Sequence, residues 1–123
     1  MKNKKMMILE NDKLTQIAYK RMFGNIFDLR IFGSADPFFV SFNEDPCDIL
    51  LVDISLDGDL DGIEITKKIR ENPKFKNLPI ICITAHAFNK ERVNAINAGV
   101  NEVVIKPIGN EELRGIIDAA LAR

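Results

Sequence analysis

The feature that most restricts the fold of this chain is a regular alternation of short apolar runs with amphipathic stretches. Five runs predict β-strands: Met6–Leu9, Asp28–Phe32, Ile49–Val52, Ile80–Thr84 and Glu102–Ile105. The clearest helical pattern is the last, where apolar residues recur at helical spacing from Leu113 to Leu121. Apolar strands separated by helices predict a parallel sheet covered on both faces, joined by right-handed crossovers. The expected fold class is therefore a three-layer α/β domain.

Turn and cap signals fall between these elements. Gly24 and Asn25 are expected to end the first helix, and Ser34 or Asp36 with Pro37 to open the second. Asn72-Pro73 should end the third helix and Gly99 the fourth. The chain shows no repeat, low-complexity tract or internal linker, so residues 1–123 are predicted to form a single domain.

Composition excludes several classes of function. Hydrophobic residues make up 46% and charged residues 28%, with no apolar run long enough for a membrane span. A formal net charge of -1 argues against the broad basic surface that nucleic-acid binding requires. Cys47 and Cys82 lack the close spacing of a zinc or redox motif and fit buried free thiols in a reducing compartment. A cytoplasmic protein is expected.

Chemically active side chains follow the predicted strands. In open parallel sheets, functional groups gather beyond the carboxyl ends of the strands. Two acids, a hydroxyl and an amine stand at these ends: Glu10, Asp53, Thr84 and Lys106. We therefore expect these four side chains to share one edge of the sheet.

This set suits phosphoryl transfer to a carboxylate. Asp53 is a poor nucleophile toward an anionic phosphoryl donor unless a cation gathers the charges, and Mg²⁺ takes carboxylate and phosphate oxygens as ligands. Glu10 and Asp53 could supply those carboxylates. Thr84 and Lys106 provide a hydroxyl and an ammonium for the charge that spreads over the transferring group.

Five segments, spread over nearly the whole chain, match the sequence pattern of a known family. They are Ile8-Leu9-Glu10-Asn11-Asp12, Asp48-Ile49-Leu50-Leu51-Val52-Asp53, Asp61-Gly62-Ile63-Glu64, Pro79-Ile80-Ile81-Cys82-Ile83-Thr84-Ala85, and Ala98-Gly99 leading to Lys106-Pro107. In this order they resemble the receiver domain of two-component response regulators, of the chemotaxis-regulator type. The stretch Thr84-Ala85-His86-Ala87 is also similar to receivers fused to hybrid histidine kinases.

The resemblance implies a flavodoxin-like (βα)5 fold with strand order 2-1-3-4-5. It implies that a histidine kinase or phosphotransfer protein donates a phosphoryl group to Asp53. Thr84 would hydrogen-bond that group, Lys106 would pair with it, and the backbone carbonyl of Ser55 would complete the Mg²⁺ shell. A cis peptide would join Lys106 to Pro107. The modified state would shift a surface of the fourth helix, fifth strand and fifth helix toward an unknown downstream protein. A monomer or weak homodimer is expected.

The chain departs from the family pattern at its metal site. The acidic pair after the first strand is usually two carboxylates, but here the second is Asn11. Removing a unit charge about 4 Å from a divalent ion forfeits roughly 2 kcal/mol even at water-like dielectric, so Mg²⁺ binding should be weaker than the family norm. Asp12 could turn inward to compensate, although a shift of one residue at a strand end usually changes the direction of a side chain.

Two further departures concern the third loop and the fifth strand. The loop from Asp53 to Gly62 is one residue longer than the commonest receiver spacing and lacks its usual proline. Val103 stands where many receivers carry an aromatic residue whose rotation reports phosphorylation. Signal transmission is therefore expected to differ. His86, the only histidine, is interpreted as a surface loop residue that, with Ser55, could tune hydrolysis of the phosphoaspartate.

Three alternative functions have less support in the sequence than a phosphoacceptor. Asp57 to Gly62 matches the opening of a calcium-binding EF-hand loop, but the twelfth position is Lys68 instead of a bidentate glutamate. The main alternative to a phosphoacceptor is a non-phosphorylated pseudo-receiver that binds proteins, motivated by Asn11 and Val103. An independent metabolic enzyme is disfavoured because the sequence has no glycine-rich phosphate loop and no nucleophile paired with a histidine.

Overall fold

The computed structural model describes residues 4–54, 62–85 and 89–123. Strands and helices alternate: β1 (Lys5–Leu9), α1 (Lys13–Phe23), β2 (Asp28–Phe32), α2 (Ala35–Glu44), β3 (Ile49–Ile54), α3 (Gly62–Arg70), β4 (Ile80–Thr84), α4 (Asn89–Ala98), β5 (Glu102–Ile105) and α5 (Asn110–Leu121). A short 3-10 helix, Pro73–Phe75, lies between α3 and β4. The five predicted strands are confirmed, with β1 one residue longer and β3 two residues longer than expected. Within the described ranges, no helix is long and apolar enough to cross a membrane.

All strand pairs in the sheet are parallel, and the strand order is β2-β1-β3-β4-β5. This order and the three-layer α/β class confirm the predicted fold. β3 lies at the centre, where Asp53 is in register with Ile83 of β4, and Thr84 is in register with Ile105 of β5. The carboxyl ends of β3, β4 and β5 therefore meet at one edge.

Two apolar layers cover the two faces of the sheet. One contains Phe38 and Phe42 of α2 with Ile65 of α3, packed on Leu50 and Val52 of β3. The other is built by α1 and α5 and includes Tyr19, Phe23, Leu113 and Ile117. Successive strand residues point to opposite faces, so a strand that is buried on both sides must be apolar at nearly every position.

Cys47 and Cys82 are buried free thiols, as expected from their spacing. Burial raises the pKa of each thiol to about 12. Because the thiolate is the nucleophilic form, both residues act as small apolar groups in the core.

The end of α4 is tied to the end of α3. Gly99 has a φ of 115°, a left-handed conformation that favours glycine. Its carbonyl accepts two hydrogen bonds from the Arg70 guanidinium, at 3.0 and 2.8 Å, and Arg70 also donates to the Phe75 carbonyl at 2.6 Å. The predicted stop at Gly99 is confirmed, and one arginine joins the end of α3 to the end of α4 and to the short 3-10 helix.

Gly62 should not tolerate a side chain. A Cβ built there would overlap Cγ1 of Val52, so Gly62→Ala must displace the buried Val52 side chain or the helix α3. We expect a loss of about 1–3 kcal/mol in the free energy of unfolding, measured by urea titration. Gly115→Ala is the matched control, because a Cβ there has no neighbour within 4 Å and α5 should gain roughly 0.5–1 kcal/mol. Equal effects of the two substitutions would contradict the steric argument.

Candidate functional site

Asp53 is the central carboxylate of the carboxyl edge. It is only 3% exposed, and its two oxygens have different neighbours. The Lys106 ammonium lies 2.8 Å from Oδ1, and the Tyr19 hydroxyl donates a hydrogen bond of 2.5 Å to Oδ2. The Lys106 contact has the distance of an ion pair but not the alignment of a hydrogen bond, because Oδ1 accepts none from the described residues. Asp53 therefore presents one bonded oxygen and one oxygen held only by charge.

Glu10 is the second buried acid of the site, with 2% of its surface exposed. Its position is fixed through the backbone: the Glu10 N–H donates to the Phe32 carbonyl at 2.9 Å, and the Gln16 amide donates to the Glu10 carbonyl at 2.6 Å. Burial, followed by the negative charge of Asp53, raises the pKa of the Glu10 carboxyl to about 7. Near neutral pH, a cation bound at this carboxyl would therefore readily displace its proton.

The donor atoms fit a magnesium ion. Oε2 of Glu10 and Oδ1 of Asp53 are buried without a hydrogen-bond partner among the described residues. Hard carboxylate oxygens of this kind suit Mg²⁺, which commonly takes one or two carboxylates and keeps several waters. In the described ranges no group of three or more His, Cys, Asp and Glu side chains gathers for a metal. The weaker Mg²⁺ binding expected from Asn11 stays a prediction.

Thr84 and Lys106 lie at the carboxyl ends of β4 and β5, as the sequence predicted. Thr84 is the last residue of β4 and is 3% exposed. Its carbonyl accepts a hydrogen bond of 2.8 Å from the N–H of Lys106, which joins the ends of β4 and β5. The peptide between Lys106 and Pro107 is cis, as the resemblance implied. Lys106 was predicted to pair with the transferred phosphoryl group, and its ammonium lies beside the Asp53 carboxylate that would receive this group.

Asp12 does not turn inward. It is exposed and is the N-cap of α1, where its Oδ2 accepts hydrogen bonds from the Thr15 N–H at 2.9 Å and the Thr15 hydroxyl at 2.7 Å. These bonds lower the pKa of the Asp12 carboxyl. A cap satisfies a backbone donor that the helix end leaves free, so this local bond holds the side chain. The hypothesis that Asp12 replaces the missing charge of Asn11 is therefore wrong for this conformation.

Asn11 is half-buried directly after Glu10, and Val103 is half-buried against the α2 and α3 layer. Ser55, His86 and the loop from Asp57 to Asp61 lie outside the described residues. Their proposed roles stay predictions.

The residue that sequence reasoning missed is Tyr19. It lies on the buried face of α1, 34 positions before Asp53, and stacks on Phe23 with ring centroids 6.2 Å apart. Burial, followed by the charge of Asp53, raises the pKa of the Tyr19 phenol, so it stays a proton donor. The available signal was a lone phenol on the apolar face of the helix that follows the acidic strand end.

The fold and the site together are those of a signalling receiver. Residues 6–118 match the family model of the response regulator receiver domain, and the chain belongs to that family. It is 37% identical over 76 residues to the phosphate regulon transcriptional regulatory protein PhoB of Rhizobium meliloti, a match covering 62% of this chain and 33% of PhoB. It is 32% identical over 73 residues to the chemotaxis protein CheY1 of Helicobacter pylori, covering 59% of this chain and 58% of CheY1. The matches thus span about a third and about three-fifths of these relatives.

A solved structure shows the same fold. The receiver domain of a sensor histidine kinase from Pseudomonas aeruginosa superposes with a TM-score of 0.85 at 24% identity, over 98% of this chain and 99% of that one. That crystal structure contains a magnesium ion coordinated in the active-site cleft.

Replacing Glu10 should change how stability depends on pH. Because folding raises the pKa of Glu10 from 4.5 to about 7, the metal-free native state binds this proton more tightly than the unfolded state. Stability is therefore lost as pH rises from about 4.5 to about 7. Glu10→Gln cannot titrate, so its stability relative to the parent chain should rise by about 3 kcal/mol between pH 4.5 and pH 8. Urea titrations in EDTA at both pH values measure this difference, and a constant difference would contradict it.

Proposed function

We propose that Asp53 accepts a phosphoryl group from the phosphohistidine of a histidine kinase or phosphotransfer protein. The observation that carries the proposal is the Asp53 carboxylate itself, which is buried and paired with the Lys106 ammonium at 2.8 Å. A lysine at this distance can pair with the carboxylate before transfer and with the phosphoryl oxygens after it. Membership of the receiver family supports the same role.

The proposed transfer needs one nucleophilic oxygen. Oδ1 of Asp53 attacks phosphorus, the bond between phosphorus and the donor imidazole nitrogen breaks, and that nitrogen keeps the electron pair. Lys106 then pairs with the transferred group, and the Thr84 hydroxyl donates to one of its oxygens. In a separate reaction, water attacks phosphorus, inorganic phosphate is released, and the electron pair of the broken bond restores the carboxylate.

Glu10 and Asp53 would hold a magnesium ion, with the Asn11 amide oxygen and the Ser55 backbone carbonyl as further ligands. When bound, Mg²⁺ would supply the positive charge that lets an anionic carboxylate approach an anionic phosphoryl group. Oε2 of Glu10, which is buried without a hydrogen-bond partner among the described residues, supports this assignment, as does the magnesium ion in the structurally similar Pseudomonas receiver. We expect binding weaker than the family norm because Asn11 contributes no charge.

The modified state is proposed to change a protein-binding surface on α4, β5 and α5. On α4, Val93 and Ile96 are large apolar side chains that are 53% and 51% exposed, which suits a contact with a downstream protein. Val103 on β5 has no ring to rotate, so the shift must pass through other groups. We further propose that the 123 residues act as one receiver domain.

Small phosphoryl donors test this function. The protein is mixed with acetyl phosphate and a series of Mg²⁺ concentrations, and intact mass spectrometry follows the adduct while fragmentation locates it. We expect a single phosphoryl group on Asp53 whose yield rises with Mg²⁺. Absence of an adduct at the highest Mg²⁺ concentration would refute the phosphoacceptor and favour the pseudo-receiver that Asn11 and Val103 suggest.

A further inference from the structure

We propose that Tyr19 is a further residue of the phosphoryl-transfer site, whose hydroxyl stabilises the departing Asp53 carboxylate and so shortens the lifetime of the phosphoaspartate. This inference rests on the proposed role of Asp53. It adds a side chain that comes from the helix layer and not from a strand end.

The two carboxylate oxygens of Asp53 have different partners. The hydrogen bond from the Tyr19 hydroxyl to Oδ2 is 2.5 Å long, within the range of charge-assisted bonds between a hydroxyl and a carboxylate. Oδ1 accepts no aligned hydrogen bond from the described residues and faces Lys106. Oδ1 is therefore the oxygen that bonds to phosphorus, while Oδ2 becomes the carbonyl oxygen of the acyl phosphate.

The hydroxyl is held in place in both states of Asp53. Tyr19 is 5% exposed, and its ring stacks on Phe23 within the layer formed by α1 and α5. A buried ring with this support has little freedom to follow a departing acceptor. The same donor therefore remains beside Oδ2 when Asp53 is phosphorylated.

The chemistry sets the direction of the effect. A carboxylate oxygen is a better acceptor than the carbonyl oxygen of an acyl phosphate, because hydrogen bonds to charged groups are the stronger ones. During hydrolysis, water bonds to phosphorus, the bond from Oδ1 to phosphorus breaks, and the electron pair returns to the carboxylate. The Tyr19 bond therefore strengthens along the reaction, favouring loss of the phosphoryl group and disfavouring its gain.

The test compares the parent chain with Tyr19→Phe, which removes one oxygen and keeps the ring. Both proteins are loaded with acetyl phosphate and Mg²⁺, the donor is removed by gel filtration, and the adduct is followed by intact mass spectrometry. We expect the adduct of Tyr19→Phe to decay roughly three- to tenfold more slowly. Its steady level in the presence of donor should also be higher.

Ile117→Val is the matched control. It removes one methyl group from the same layer formed by α1 and α5 and leaves Tyr19 stacked on Phe23, so the lifetime should stay near that of the parent chain. Decay of Tyr19→Phe at the parental rate or faster would overturn the proposal. An equal lengthening in Ile117→Val would also overturn it, because looser packing of this layer would then explain the effect.

A second measurement separates failure of this inference from failure of the proposed function. Tyr19 is the only tyrosine, and the chain has no tryptophan, so near-ultraviolet tyrosine absorption reports on this one hydroxyl. Loss of its acceptor in Asp53→Ala should shift that band to shorter wavelength. If the parent chain forms no phosphoryl adduct, both the phosphoacceptor role of Asp53 and the effect of Tyr19 on the adduct lifetime are refuted, whatever the tyrosine spectrum shows. An adduct in the parent chain without the spectral shift would overturn the role of Tyr19 alone.

Discussion

Asp53→Asn should abolish the phosphoryl adduct that acetyl phosphate and Mg²⁺ produce on the parent chain. The amide has nearly the shape of the carboxylate, so the strand and its neighbours should remain folded. It lacks the anionic oxygen that attacks phosphorus, and it leaves the Lys106 ammonium without its partner at 2.8 Å. Intact mass spectrometry should therefore show no phosphoryl adduct, while circular dichroism remains that of the parent chain.

Asp12→Asn is the control for the loss of a negative charge beside the site. Asp12 caps α1, and asparagine is an equally good N-cap. This variant should form the adduct at nearly the parental yield. An adduct that survives in Asp53→Asn, or that disappears in Asp12→Asn, would place the phosphoacceptor on a residue other than Asp53.

Asn11→Asp should strengthen Mg²⁺ binding and so lower the Mg²⁺ concentration that phosphorylation requires. Restoring a unit charge about 4 Å from a divalent ion contributes about 2 kcal/mol at water-like dielectric. The Mg²⁺ concentration for half-maximal adduct formation should therefore fall by about 30-fold. The added carboxylate also repels Glu10 and Asp53, so the metal-free protein should be less stable than the parent chain.

Asn77→Asp provides the matched surface charge. Asn77 is exposed just before β4, at the end of the strand opposite Thr84, so its substitution should leave the Mg²⁺ requirement unchanged. Titrating adduct yield against Mg²⁺ in the three proteins measures the effect. A shift of less than threefold in Asn11→Asp would mean that Asn11 does not face the metal, and the expected weak binding would need another cause.

Much of the site follows from two local rules. Apolar runs mark the buried strands, and parallel strands bring their carboxyl ends to one edge. These rules were sufficient to predict that Glu10, Asp53, Thr84 and Lys106 would gather, and Lys106 does contact Asp53. Strand order and strand polarity constrain these positions more strongly than any individual side-chain contact does, and the roles of the four residues stay predictions.

Asp12 and Tyr19 show what such rules leave undecided. Asp12 was considered as a ligand, but the competing bond to Thr15, three residues ahead, holds it as a helix cap. That competition is local, and an acid three positions before a threonine at a helix start is a recognisable capping pattern. Tyr19 is different, because its partner Asp53 is 34 residues away on another element.

By itself, the sequence of this protein determined the parallel sheet, the buried strands and the set of polar groups at their ends, since periodicity and strand polarity are properties of the chain. Only the tertiary structure decided which oxygen of Asp53 is bonded and by what. The packing of α1 against the sheet places the Tyr19 hydroxyl on Oδ2, while the end of β5 places Lys106 beside Oδ1. The angle and depth at which a helix packs depend on all the side chains beneath it, and no local pattern contains that information.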